Sequence, residues 1–394
     1  MLIAFFLWAS WGYGVLVGAE ELDAGGVAEA STKKIPAESP LENLDQEDKF
    51  QAWDYSWRGR MFALGVSDTT EESRVSGLQL SGGLKKKFSE YFDFATSLQA
   101  RFETGTTHSL YEVNRVANGI WLDEAQANVH LVPHFVTLSA GAINQRYLQN
   151  PLLLTELSFP AVQEKFQWEG AGLSLGLVIQ QAVPTSMSLS TRSVAKEKLP
   201  SFFTETFFAN YNPQQSLWSI NGRVGAFAFY DLPSSVAYDS RTQGNFAEGE
   251  FPENSSFRYG FRGLTYGGDL GLKLKNVQLK AGADALINQE APQKYGRGLL
   301  TYVQAGVKGF GQWTLIPRAE YFRNERQSSP AFYNSADYGH NNRHGFAYEL
   351  KAENLKLGVA FKAKYSDAQL IEEFPSQANT KIIMIYMDIF NGVN

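Results

Sequence analysis

From Asp54 to Phe390 the chain alternates apolar and polar residues in stretches of ten to fifteen, joined by links that are short, then long, then short again. The pattern is plainest from Tyr91 to Thr104. Phe92, Phe94, Thr96, Leu98, Ala100 and Phe102 fall on one face, and Asp93, Ala95, Ser97, Gln99, Arg101 and Glu103 on the other. Strands of soluble proteins average about five or six residues, whereas a tilted strand needs roughly nine to eleven to cross a bilayer core. That core holds no water to satisfy backbone N–H and C=O groups, so only helices and closed barrels span it. Beyond residue 20 the sequence offers no helix candidate, and the alternation predicts an all-β, antiparallel, up-and-down transmembrane barrel.

Alternation and turn residues predict sixteen strands: 54–67, 75–88, 91–104, 119–132, 135–145, 161–168, 172–182, 201–212, 216–231, 256–274, 277–288, 298–309, 312–323, 343–352, 355–366 and 379–390. Short links fall at Ser89-Glu90, Pro133-His134, Glu169-Gly170, Pro213-Gln214-Gln215, Lys275-Asn276, Phe310-Gly311 and Glu353-Asn354. Short turns on one rim and long loops on the other are the asymmetry of outer-membrane barrels. An even strand count puts both barrel ends on the short-turn rim. The long stretch 256–274 changes register near Gly263, which reads as a bulge in one strand.

Composition agrees with a barrel: the aromatic share is 14%, with 35 Gly, while mean hydropathy is only -0.26. Zero cysteines excludes disulfides, thiolate metal sites and a lipidated cysteine anchor. Residues 1–19 read as a signal peptide, an apolar run from Leu2 to Val17 followed by the small-residue pattern Val17-Gly18-Ala19, although no Lys or Arg precedes it. A retained anchor is the alternative. Residues 20–52 read as a disordered acidic segment, and 53–394 as the barrel.

This architecture resembles the porins of Gram-negative outer membranes, with sixteen strands, eight long external loops and seven short turns. The stretch Ala125 to Glu164, with Gly141-Ala142-Ile143-Asn144-Gln145 and then Leu152 to Pro160, is similar to the corresponding region of the phosphate-selective porins. Two departures stand out. Phe390 is followed by four more residues instead of ending the chain, and the last strand, Ile382 to Phe390, is apolar on both faces. The resemblance implies an integral outer-membrane channel for small hydrophilic solutes, inserted by the barrel-assembly machinery among outer-membrane lipid. A homotrimer is one assembly it allows.

Sixteen strands leave an aqueous channel. On the polar strand faces the lumen bases would be Arg58, Arg60, Lys85, Lys87, Arg101, Arg223, Arg258, Arg262, Lys273, Lys280, Lys308, Arg318, Lys351, Lys356, Lys362 and Lys364. The acids would be Asp93, Glu103, Glu124, Asp231, Asp269, Asp284, Glu320 and Glu349. A two-to-one basic excess predicts a modest anion preference, since charged rings select by sign; the alternative is that these bases pair with lumen acids and stiffen the wall. By resemblance, the link Arg146 to Pro160 folds inward to narrow the pore, with Arg146, Tyr147, Gln149 and Glu156 at the constriction. Leu152-Leu153-Leu154 is apolar for such a place, and either packs on the inner wall or marks a path for less polar solutes.

The alternatives are a surface receptor or adhesin acting through loops 232–255 and 324–343, or an enzyme at the loop rim. Barrel hydrolases need a Ser/His or Asp/His constellation, and the five histidines form none recognisable in sequence. His340 and His344 stand four apart in a loop reaching a strand, where that spacing does not place them on one face. No phosphate-binding glycine loop occurs. No metal, cofactor or nucleic-acid partner is therefore expected, and no enzymatic activity.

Overall fold

A computed structural model describes residues 53–69, 71–109, 118–184, 198–213 and 216–391. The leader and acidic segment expected over 1–52 lie outside the described residues. Sixteen strands close into one antiparallel barrel, each paired with its neighbours in sequence. They are β1 Trp53–Ser67, β2 Glu71–Ser89, β3 Phe92–Ser109, β4 Gly119–Val132, β5 Val136–Asn144, β6 Ser158–Gly170, β7 Leu173–Ala182, β8 Ser201–Tyr211 and β9 Trp218–Tyr230, then β12 Phe261–Lys273, β13 Val277–Asn288, β14 Arg297–Phe310, β15 Trp313–Asn324, β16 Arg343–Asn354, β17 Val359–Leu370 and β18 Thr380–Asn391. Between β9 and β12 the chain makes an excursion through helix α1 (Ser234–Thr242) and a two-stranded ribbon of β10 (Ala247–Glu248) and β11 (Ser256–Phe257).

The expected bulged strand 256–274 is thus two elements. Ser256 and Phe257 pair in the ribbon, and the barrel strand begins only at Phe261. This accounts for the register change: Phe261 faces inward and is buried, whereas Leu264, Tyr266 and Leu270 continue outward. The turn before β17 also runs later than expected. Gly358 takes a left-handed φ of 63°, where a Cβ would lie 2.1 Å from the Phe390 carbonyl oxygen, so the strand starts at Val359 and not at 355.

β1 pairs with β18 from Trp57 opposite Asn391 to Ser67 opposite Lys381, which closes the barrel and leaves no sheet edge. Asn391 reinforces the seam, its Oδ1 accepting from the Trp57 backbone N–H at 2.6 Å. Trp53, Tyr55 and Trp57 project outward at the short-turn rim and are exposed, as are Trp168, Tyr211 and Trp218 on the far side. Amphipathic rings at that level suit a headgroup layer.

The largest buried apolar cluster lies inside the barrel. Leu152, Leu153 and Leu154 from the link after β5 pack with Phe159, Val178, Phe202, Phe227 and Phe229 on the inner wall of β6 to β9. Phe261, Leu286, Leu300 and Phe322 extend that wall, and Tyr333 and Tyr338 from the link before β16 complete the cluster. Tyr333 stacks at 5.8 Å on Phe229 and meets Phe159 edge-on at 5.6 Å.

Candidate functional site: the lumen

Three inward-folded links occupy the outer half of the lumen on the β5 to β15 side. The first, residues 145–157, starts in a single 3-10 turn over Gln145–Leu148. The Tyr147 hydroxyl reaches Thr204 Oγ1 at 2.5 Å, and Asn150 Nδ2 donates across the lumen to the Ala285 carbonyl at 3.2 Å. Gln149 accepts from Arg223 through both its side-chain oxygen, at 2.6 Å, and its backbone oxygen, at 2.8 Å. Arg146 lies 3.3 Å from Glu156 and 3.9 Å from Asp123. All four expected constriction residues therefore lie in a link that enters the barrel, with Tyr147 buried on the wall and Arg146 and Glu156 facing open space. The leucine triplet packs on the inner wall.

The second and third links, 231–260 and 325–342, overlap the loops 232–255 and 324–343 of the alternative receptor surface; they hold each other inside the rim, while Glu248 and Phe251 stay exposed. Asn245 donates to the Arg326 and Ser329 carbonyls at 2.6 and 3.0 Å, and Asn341 to the same two at 3.1 and 2.7 Å. The Arg326 guanidinium is sandwiched between the Phe246 and Phe374 rings at 3.8 and 3.9 Å. Burial has pushed the His340 imidazole down to about 4, and its Nδ1–H donates to the Ala331 carbonyl and to Asn334 Oδ1, both at 3.0 Å. Burial alone would raise the Asp337 carboxyl, but Lys364, 3.0 Å away, holds it below its usual range.

What remains open runs up the other side, along β16, β17, β18, β1, β2 and β3. A lower cavity of about 670 Å³ opens by the short-turn rim, lined by Asp54, Arg58, Lys85, Asp123, Glu124, Arg146, Glu156, Lys351, Glu353 and Lys362 among others. An upper cavity of about 330 Å³ lies towards the long loops, between Phe62, Leu64, Val66, Ile382, Met384 and Tyr386 on the wall and Thr242, Gln243, Asp337, His340 and Gln377 on the links. Both are lined by Arg60 and Gln79, which mark the neck.

The expected basic excess is largely consumed by pairing. Arg60 bonds Asp388 at 2.7 Å, Arg318 meets Glu320 at 2.7 Å, and Lys280 meets Asp269 at 3.1 Å. Lys362 lies 2.9 Å from Glu349, Lys364 lies 3.1 Å from Glu320, and Lys351 lies 2.8 Å from Glu353. Arg101 pairs with Glu103, and Arg223 with Asp284. Arg58 and Lys85 face the lower cavity, and Lys87 stands opposite Asp93 near the rim. Asp388 and Glu353 were missed because the last strand looked apolar throughout and Glu353 was placed in a turn. The lower cavity is charge-balanced, six bases against six acids, whereas the upper has Arg60, Arg101 and Arg343 against Asp68 and Asp337.

Several expected lumen residues sit elsewhere, Lys356 in the turn before β17 and Asp231 just past the end of β9 among them. Arg258 precedes β12 and reaches Glu248 of the ribbon at 3.8 Å, with both side chains exposed. Arg262 falls opposite Ala228 on the outward parity and bonds Glu290 at 2.6 Å. The cause is the break at residues 258–260, which shifts the alternation assumed from one continuous strand. Tyr302 faces inward beneath the Arg318 guanidinium at 4.0 Å. Among the described residues, no group of three or more His, Asp or Glu side chains is placed to hold a metal ion.

No family model and no curated protein sequence matches this chain. Solved structures do match in fold. Pseudomonas putida OprB, in a high-pH structure, is 11% identical with a TM-score of 0.55, covering 89% of this chain and 96% of that one. A Salmonella typhi OmpF complex with daunomycin (9% identity, TM-score 0.51) covers 87% of this chain and 99% of OmpF. A loop L8 deletion mutant of OmpT, an outer membrane protein of Vibrio cholerae, is 7% identical with a TM-score of 0.51, covering 86% and 99%. The fold of this chain is that of an outer-membrane, sixteen-stranded porin-type barrel.

Proposed function

We infer that the chain is an integral protein of a Gram-negative outer membrane that forms a narrow, water-filled channel for passive diffusion of small hydrophilic solutes. The observation that carries this reading is the pair of cavities stacked along β16 to β3, polar-lined below and meeting at Arg60 and Gln79. A modest anion preference goes with it, arising in the upper cavity and not in the balanced lower one. Single-channel recording in planar bilayers tests it. A stable open level with a reversal potential favouring chloride in a dilute KCl gradient is expected, because fixed charges act over about 10 Å at 0.1 M salt. A barrel that carries no current would overturn the reading in favour of a receptor.

The same reading includes a homotrimer, supported by the outer wall. Glu164 and Glu205 project outward in one row across Ile179, midway up strands whose lower ends carry Trp168 and Tyr211. Neither carboxylate has an ion pair or hydrogen bond among the described residues. Other outward charges, such as Lys86, Arg297 and Lys381, sit near strand ends. Carboxylates at mid-height are costly against lipid, and a neighbouring copy would cover them. In this cysteine-free chain, oxidation of the E164C and E205C variants should give a covalent species between copies; purely monomeric barrels under conditions where the channel conducts would argue against the assembly.

A further inference from the structure

The inner wall of a water-filled barrel is expected to be polar, yet the upper cavity is floored by Phe62, Leu64 and Val66 of β1 and by Ile382 and Met384 of β18. Over residues 382–385 β18 is therefore apolar on both faces, with Ile383 and Ile385 exposed on the outside. At the loop end of this strip stands Arg343. It is only 5% exposed and donates to the Ala378 carbonyl. It makes no ion pair among the described residues, and its Nε has no acceptor. Of the carboxylates bordering the cavity, Asp337 is engaged by Lys364, and Asp68 accepts from the Thr380 hydroxyl at 2.8 Å, its charge reaching Arg343 without forming an ion pair.

A buried guanidinium with spare donors beside an open apolar strip is a two-part recognition surface. Guanidinium is weakly hydrated and presents a planar fork that suits carboxylate oxygens. An apolar strip does nothing for a fully hydrated ion but holds an alkyl chain. Resting on the channel reading, we propose that the upper cavity is a binding site for amphipathic monoanions, a carboxylate head on Arg343 with a short- to medium-length alkyl tail along β1 and β18. The solute would pause there before passing the Arg60 neck.

The test uses the intact channel in planar bilayers, with acetate, butyrate, hexanoate and octanoate added in turn and the fraction of each channel's own open current blocked read directly. Each methylene leaving water is worth up to about fourfold in affinity, so block should strengthen two- to fourfold per methylene along the series. Octylammonium, with the same tail and opposite charge, should block at least tenfold less well than octanoate. Arg343→Gln should weaken octanoate block about tenfold, and Met384→Gln should flatten the chain-length series while leaving acetate as it was. Heat-modifiable migration on a gel identifies folded variants; if Arg343→Gln does not fold, Met384→Gln and the octylammonium comparison still decide. An open channel on which acetate and octanoate act alike, or on which octylammonium matches octanoate, overturns this site and leaves the channel reading standing. A wild-type barrel with no KCl current overturns the channel reading itself.

Discussion

The two sides of this barrel use the same strand pattern to opposite ends. On the β5 to β15 side, inward residues such as Val178, Phe202, Phe227 and Phe322 are covered by the protein's own links. On the β16 to β3 side, inward residues face open space at two cavities. Alternation fixes which residues point inward but not what they meet there. A porin-type wall becomes a packed core wherever a link brings enough apolar surface and carries its own polar satisfaction, as Asn245 and Asn341 do for the carbonyls of 326 and 329.

The most forceful way to break this contrast is to empty the filled side. Replacing residues 326–340 by a short Gly-Ser bridge should raise single-channel conductance several-fold, since Tyr333 and Tyr338 leave the lumen with the segment. An unaltered conductance would mean that the packed links do not limit flow. A subtler probe is Phe202→Ala, which removes a fully buried ring stacked at 4.2 Å on Phe229. Truncations of this kind cost about 3–5 kcal/mol, and the loss should register as a lower denaturant midpoint for the link core; a midpoint identical to wild type would place that ring outside the cooperative core.

Acid provides the smallest and most selective perturbation. The His340 pKa in the packed state, about 4, lies below its ordinary 6.5, so the released link binds the proton more readily. Stability from the neutral imidazole is therefore complete above about pH 6.5 and is lost as pH falls towards about 4. The groups that face the ring are Arg343, which disfavours the proton, and Asp337, which favours it. The loss is on the order of 2 kcal/mol, and channel flicker should rise between pH 7 and pH 4.5 in wild type but not in His340→Asn. Equal flicker in both would remove His340 from the account.

Strand number, antiparallel order, the short-turn rim and the inward faces of Arg60, Arg101 and Lys364 were legible in the sequence because period-two alternation is enforced by lipid on one side. The packed links were not. Asn324, Ser328, Ser329, Asn334 and Asn341 fall in a stretch read as an external loop, and their burial depends on distant partners, as for Ser329 Oγ and the Leu152 carbonyl, 177 residues apart. The signal in hindsight was the mixture: amides and hydroxyls crowded around Phe332, Tyr333 and Tyr338 in one link. Arg258 and Arg262 were misplaced for a different reason, since two elements were read as one and parity does not carry across a break.

The stretch 382–385 of β18, apolar on both faces, also bears on how the barrel is made. Its partner in the seam, β1, lies at the other end of the described chain, the Trp57 to Asn391 contact spanning 334 residues. Pairing of such sequence separation is slow. Until it occurs, Ile382 to Ile385 form an unpaired edge with no polar side to discourage joining another chain. Whatever benefit the apolar inner strip brings to the finished channel, its cost falls on the unfinished barrel, which must be escorted until the seam closes.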